Sequence, residues 1–220
     1  MLAQIVLFDG FDPLDVIAPY EVLYAGGMVI EAALTVELVS AEGAREVPSG
    51  SGPLSLRASA RLDPQRADLV VVPGAAGRLA QDGDAVSEDT ISVILNRTLD
   101  TDLPALLKEA LDQPGLIMAT ICGGSLLLAM AGLIEGRHAT THHLGMDLLE
   151  ASGTIPVNAR VVDDEDLVTG AGATSGLDLG LYLLERELGP RIAHTVEKLL
   201  AYERRGTVWH DHGLPPAVAV

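Results

Sequence analysis

One thiol dominates the chemistry this sequence can offer. Cys122 is the only cysteine among 220 residues, and it stands in Thr120-Ile121-Cys122-Gly123-Gly124-Ser125, where an apolar run breaks into glycines. A thiol at a sharp turn beside a helix N-terminus meets unpaired N–H groups and the positive end of the helix dipole. Both lower its pKa and favour the nucleophilic thiolate; a cysteine buried simply for packing is the alternative. The paired glycines let a substrate or an oxyanion approach the backbone closely. Such a thiol needs a group that moves protons and a pair of backbone donors for developing negative charge. Asp15 is the candidate for the first role, with an ordinary helix-capping aspartate as the alternative. The N–H groups of Ala75 and Gly123 are the candidates for the second, with Gly74 either shaping that turn for a ligand or serving as a simple turn glycine.

These residues must be brought together by the elements around them. Leu116 to Ile121 is short, apolar and opened by Pro114-Gly115, so it reads as an interior strand; Ser125 to Ala131 reads as a helix that Gly132 closes. Ala3 to Phe8 reads as a first strand, followed by a helix over about 15–25 and a strand at Leu34 to Ser40. The polar stretch 42–56 suggests a hairpin or loop excursion, and Asp68 to Gly74 a buried strand ending in a glycine turn. The segment 77–100 is polar and poorly periodic and reads as a surface insertion with at most a short helix; a helix at about 103–111 follows. Further on come a helix over 143–151, a hairpin formed by 157–162 and 167–170 around the acidic turn Asp163 to Asp166, and a long helix 177–188 capped by Thr174-Ser175-Gly176. A last helix is expected over 190–204, and 206–220 as an extended, partly loose tail. Strands alternating with helices imply an α/β fold, a doubly wound, mostly parallel sheet sandwiched by helices in one domain over 1–205. Its carboxyl edge would then gather Asp9 to Asp15, Pro73 to Gly77 and Cys122.

Composition narrows the function. A 48% hydrophobic content with 3% aromatic residues describes an aliphatic core, and a net charge of −17 argues against nucleic acid or an anionic membrane as partner. A single cysteine permits no internal disulfide and suits a reducing cytoplasm. The N-terminus has no basic leader and reads as a strand instead of a signal peptide. No apolar run approaches the roughly 20 residues that span a bilayer. Trp209-His210-Asp211-His212 holds metal-binding residue types but has no matching cluster elsewhere, so no metal is expected, and the acidic turn reads as solvated.

The run from Ile121 to His143, I-C-G-G-S-L-L-L-A-M-A-G-L-I-E-G-R-H-A-T-T-H-H, resembles the nucleophile-elbow signature of the ThiJ/PfpI superfamily, a flavodoxin-like branch of class I glutamine amidotransferase-like folds. It is most similar to the isocyanide hydratases and to the amidase-like domains of AraC-type regulators. L-D-V-I-A-P at Leu14 to Pro19, V-V-P-G at Val71 to Gly74 and R-V-V-D-D-E-D-L-V-T-G-A-G-A-T-S-G-L-D at Arg160 to Asp178 add to it, over about residues 3–200. The resemblance implies that Cys122 is the nucleophile and that Asp15 shuttles protons. The thiolate would attack the terminal isocyanide carbon, and water would release an N-substituted formamide, without metal or organic cofactor. Gly74, Ala76, His142 and Thr174 would line the substrate pocket; for His142 a capping role is the alternative. Three departures stand out. Gly123 occupies the position of His in peptidase-like members and usually of Thr in the hydratases, and Ala75 replaces the second glycine of P-G-G. The chain also leaves no room for the helix-turn-helix pair of the regulators.

The resemblance further implies a homodimer acting on a small molecule. Two other activities stay open: glyoxalase- or deglycase-like action on reactive carbonyls, and a sensor whose cysteine oxidises.

Overall fold

The structure, a computed structural model, describes residues 1–31, 33–79 and 87–214. β1 (Leu2–Leu7) leads through α1 (Pro13–Val29) to β2 (Thr35–Ser40), the hairpin β3 (Arg45–Pro48) and β4 (Ser55–Ala58), the short β5 (Ala60–Arg61) and β6 (Leu69–Val72). α2 (Ile91–Leu99) and α3 (Leu103–Leu111) precede β7 (Ile117–Ile121), and α4 (Gly124–Met130) follows it. Next come β8 (His138–Ala139), a 3-10 turn at His143–Gly145, α5 (Met146–Ala151) and β9 (Ile155–Pro156). The hairpin β10 (Val161–Asp164) and β11 (Leu167–Gly170), then α6 (Ser175–Leu188), α7 (Pro190–Leu200) and β12 (Trp209–His210) complete the order.

The main sheet runs β12-β10-β11-β7-β6-β1-β2-β5. Its neighbours are parallel except β10 against β11. α1, α6 and α7 pack against one another, and α2, α3, α4 and α5 form a second linked group, so helices flank the sheet. Covering both faces is why the central strands carry no polar alternation: every residue of β6 and β7 is buried. The expected mostly parallel α/β sheet is therefore the observed one, and the hairpins at 42–56 and 157–170 both form.

Several elements depart from expectation. α1 starts two residues earlier and ends four later than 15–25, because Asp12 caps it by accepting from Leu14 N at 2.9 Å and Pro13 fits its first turn. The segment 77–100 is no mere surface insertion. α2 buries Ile94 and Leu95 against the strand ends, and the Arg78–Thr90 bridge closes the excursion; residues 80–86 lie outside the described ones. α7 stops at Leu200 instead of Arg204, because Ala201 turns left-handed (φ 49°) and Tyr202 and Arg205 are held by Asp178. The tail is docked in part: β12 pairs in parallel with β10 and closes that end of the sheet. The acidic turn is not simply solvated either. Buried Asp163 accepts from Tyr182 Oη and Arg186, and Arg137 grips Asp164 and Asp166.

Candidate active site

Four strand ends meet at the carboxyl edge, those of β1, β6, β7 and β11. Cys122 follows β7 directly and adopts φ 53°, a left-handed conformation uncommon for a non-glycine residue and one that turns the chain from strand into helix. Its N–H is shared between the carbonyls of Gly170 (3.0 Å) and Ala171 (2.8 Å), and its own carbonyl accepts from Thr141 Oγ1 at 2.6 Å. The elbow is therefore tethered on both sides of the Cα. The two glycines after it have different reasons to be glycine. A Cβ at Gly124 would lie 2.2 Å from the Val72 carbonyl oxygen, so the helix can sit on the β6 end only without a side chain there. A Cβ at Gly123 would meet nothing nearer than 3.4 Å, which is ordinary contact.

Asp15 stands in the first turn of α1, completely buried. Its Oδ2 accepts from Gly74 N at 2.9 Å, and its Oδ1 is buried with no close partner among the described residues. Burial, then the neighbouring Asp12, pushes this carboxyl up from 3.8 to about 7, against the opposing hydrogen bonds from Gly74 and the Cys122 thiol. The cap of α1 is therefore Asp12 and not Asp15. Gly74 is the hinge of the arrangement. A Cβ on it would come within 2.5 Å of Gly123 N and 2.9 Å of Asp15 Oδ2, so only glycine lets the β6 turn, the elbow and the carboxyl converge.

The thiol does not behave as its position beside a helix suggested. Burial, and then the Asp15 carboxylate, push it up from 9.0 to about 12; the Gly123 N–H opposes this without prevailing. α4 has only seven residues, so its dipole is weak compared with desolvation and two nearby carboxylates. A pKa this high favours the neutral thiol near pH 7, and the Asp15 carboxyl lies within hydrogen-bonding reach of it.

A cleft of about 600 Å³ opens onto Cys122 and Asp12, while Asp15 is completely buried and does not line it. Ala75, Ala76, His142, Cys122 and Gly123 line it, while Gly74 lies behind them against Asp15. Ala75 takes no left-handed backbone angle, so replacing the second glycine costs nothing there, and its N–H lies across from Gly123. His142 serves both roles weighed for it: it lines the cleft, and its Nδ1 caps the 3-10 turn by accepting from Leu144 N at 3.3 Å. Burial and the adjacent His143 lower its pKa. Thr174 is placed elsewhere. It is exposed, makes no capping hydrogen bond for α6 and accepts from Arg160 at 3.1 Å, while its neighbour Ala173 reaches the cleft.

Sequence reasoning missed the apolar wall of Ile91, Leu126 and Leu144, and the carboxylate of Asp12. The signals were Asp12-Pro13, a cap followed by proline, and the helical spacing of Ile91, Ile94, Leu95 and Thr98. Two grooves along α7 and the C-terminal segment, of about 740 and 600 Å³, are at least as large but hold mutually paired charges such as Arg204 with Glu185 and Glu197. Among the described residues no group of His, Cys, Asp or Glu is arranged to hold a metal ion, and no helix is long and apolar enough to cross a membrane.

Comparison with known proteins agrees with this fold. Residues 94–186 match the model of the DJ-1/PfpI family. The isonitrile hydratase of Pseudomonas putida is 33% identical over 200 residues, which is 90% of this chain and 76% of that protein. The HTH-type transcriptional regulator CdhR of Pseudomonas aeruginosa is 35% identical over 99 residues, only 30% of its length. Among solved structures, a ThiJ/PfpI family protein from Pseudomonas syringae superposes with a TM-score of 0.76 at 22% identity, over 93% of this chain and 76% of that one. This chain belongs to the DJ-1/PfpI family.

Proposed function

We propose that this protein is a cysteine-dependent hydratase of small isocyanides, with Cys122 as nucleophile and Asp15 as proton shuttle. The observation that supports this reading most is the pairing of an elbow thiol with a buried carboxyl that, among the described residues, no basic side chain neutralises. A carboxyl poised near 7 can both take and give a proton at neutral pH. Asp15 takes the thiol proton as sulfur bonds to the terminal isocyanide carbon, and returns it to that carbon, leaving a thioformimidate. Water then adds to the same carbon, Asp15 carries one of its protons to nitrogen, and the carbon–sulfur bond breaks as the remaining hydroxyl proton passes through Asp15 to sulfur. The products are an N-substituted formamide and the free thiol, so the balance is one isocyanide plus one water. The N–H groups of Ala75 and Gly123 face the charge that develops as water adds. The apolar wall of Ile91, Leu126 and Leu144 suits the organic substituent. The 33% identical isonitrile hydratase supports the same choice of substrate class.

The test is direct. Purified protein is incubated with an alkyl isocyanide and formamide is followed by chromatography. Turnover that disappears in Cys122→Ala is the expected result; equal formamide with and without Cys122, or none from the wild type, ends the proposal.

A further inference from the structure

We infer that Thr141 is a positioning residue for the nucleophile: its hydroxyl holds the Cys122 carbonyl, and through it the left-handed elbow, in the conformation that presents the thiol to Asp15. The inference rests on Cys122 being the nucleophile. Thr141 is 1% exposed and donates to the Cys122 carbonyl at 2.6 Å, across 19 residues of chain. The carbonyl of an ordinary strand residue at this edge would find a ladder partner. The turn to φ 53° takes this one out of the ladder, and a buried carbonyl left without a donor is costly. The Thr141 hydroxyl supplies that donor only while the elbow is turned, so it stabilises a conformation that a β-carbon disfavours.

The segment carrying Thr141 is itself fastened to the elbow from below. Ser125 Oγ, in the first turn of α4, donates to the Thr140 carbonyl at 2.7 Å and lies 2.5 Å from Thr120 Oγ1. Thr140 N donates to Thr169 Oγ1 at 2.9 Å. These hydroxyls are all completely buried, so solvent does not compete for their partners. Beyond Thr141 the same segment delivers His142 and Leu144 to the cleft. One hydroxyl thus couples the backbone of the nucleophile to the wall that faces it.

The test reads thiol alkylation by iodoacetamide as a function of pH, which needs no knowledge of the natural substrate and so stays separable from the hydratase assay. Thr141→Val keeps the shape and removes the hydroxyl; Thr141→Ser keeps the hydroxyl and removes the methyl. Thr154→Val is the control, since Thr154 makes a similar buried bond to the Ile134 carbonyl away from the cleft. Wild type should show an inflection near pH 7 as Asp15 ionises beside the thiol. Thr141→Val should alkylate about tenfold more slowly and lose the inflection, with serine restoring both. If the valine variant does not accumulate as folded protein, Thr141→Ala takes its place. Rates and profile equal to those of Thr154→Val, or a serine variant as impaired as valine, would overturn the assignment.

Discussion

Asp15 and Asp178 are both buried aspartates in the first turn of a long helix, on α1 and α6, which pack against each other. Their surroundings are opposite. Asp178 is saturated: Arg160 Nε reaches it at 2.5 Å, Tyr202 Oη at 3.0 Å and Arg205 N at 2.7 Å. It ties β10, α6 and the C-terminal segment into one unit. Among the described residues Asp15 has one backbone donor and the Cys122 thiol, no basic side chain bonded to it, and a buried oxygen without a close partner. One carboxyl is used to hold structure and the other is left with proton affinity to spare. Burial alone does not tell them apart; the count of donors does.

Four measurements would break or sharpen this contrast. The largest effect belongs to Asp15→Asn, which keeps the shape and removes the titrating group. Formamide production from an isocyanide should fall about 100-fold to 10,000-fold, whereas a fall of less than threefold would remove Asp15 from proton transfer.

The second concerns pH and stability. Folding raises the Asp15 carboxyl from 3.8 to about 7, so between these values the folded state holds a proton that the unfolded chain has released. Its contribution is therefore full below pH 4 and is lost as pH rises through 7, a change of about 4 kcal/mol. Urea unfolding of Asp15→Asn should match wild type at pH 4 and exceed its stability at pH 8. Parallel pH curves for the two proteins would contradict the strained, uncompensated carboxyl.

Asp178→Ala should do the reverse. Arg160 and Tyr202 lose their shared acceptor, and unfolding should become easier by about 3 kcal/mol at neutral pH. The cysteine alkylation rate of the folded protein should change little, because Asp178 holds the frame and not the thiol.

The smallest effect is expected at Gly123. A side chain there meets only ordinary contacts, so Gly123→Ser should cost less than about 1 kcal/mol. Gly124→Ser, whose Cβ would strike the Val72 carbonyl, should unfold at clearly lower denaturant. Equal losses at the two positions would show that the elbow is tighter than its geometry indicates.

Much of this was legible in the residues themselves. The wholly apolar runs of β6 and β7, the alternation with helices, and glycines where strands end made the layered fold and the order of the site segments readable. α2 was harder, because its three buried residues are diluted by polar neighbours and follow a polar stretch. The end of α7 and the docking of β12 were not readable, since both depend on partners far along the chain, Asp178 and β10. Thr174 was misplaced by one residue because a helix cap can point to solvent or to the cleft, and only the packing of α6 chooses.

The sequence by itself determined that a lone thiol sits at a strand-to-helix turn, with Asp15 and the Gly74 turn at the same edge of the sheet. Strand and helix periodicities are local, so they survive without knowledge of the rest of the chain. Tertiary structure alone decided the protonation of the pair. Local context favoured a depressed thiol pKa, yet the folded surroundings remove water and set carboxylates beside the sulfur, pushing it to about 12. Desolvation is a property of everything packed around a group, and no short motif contains it.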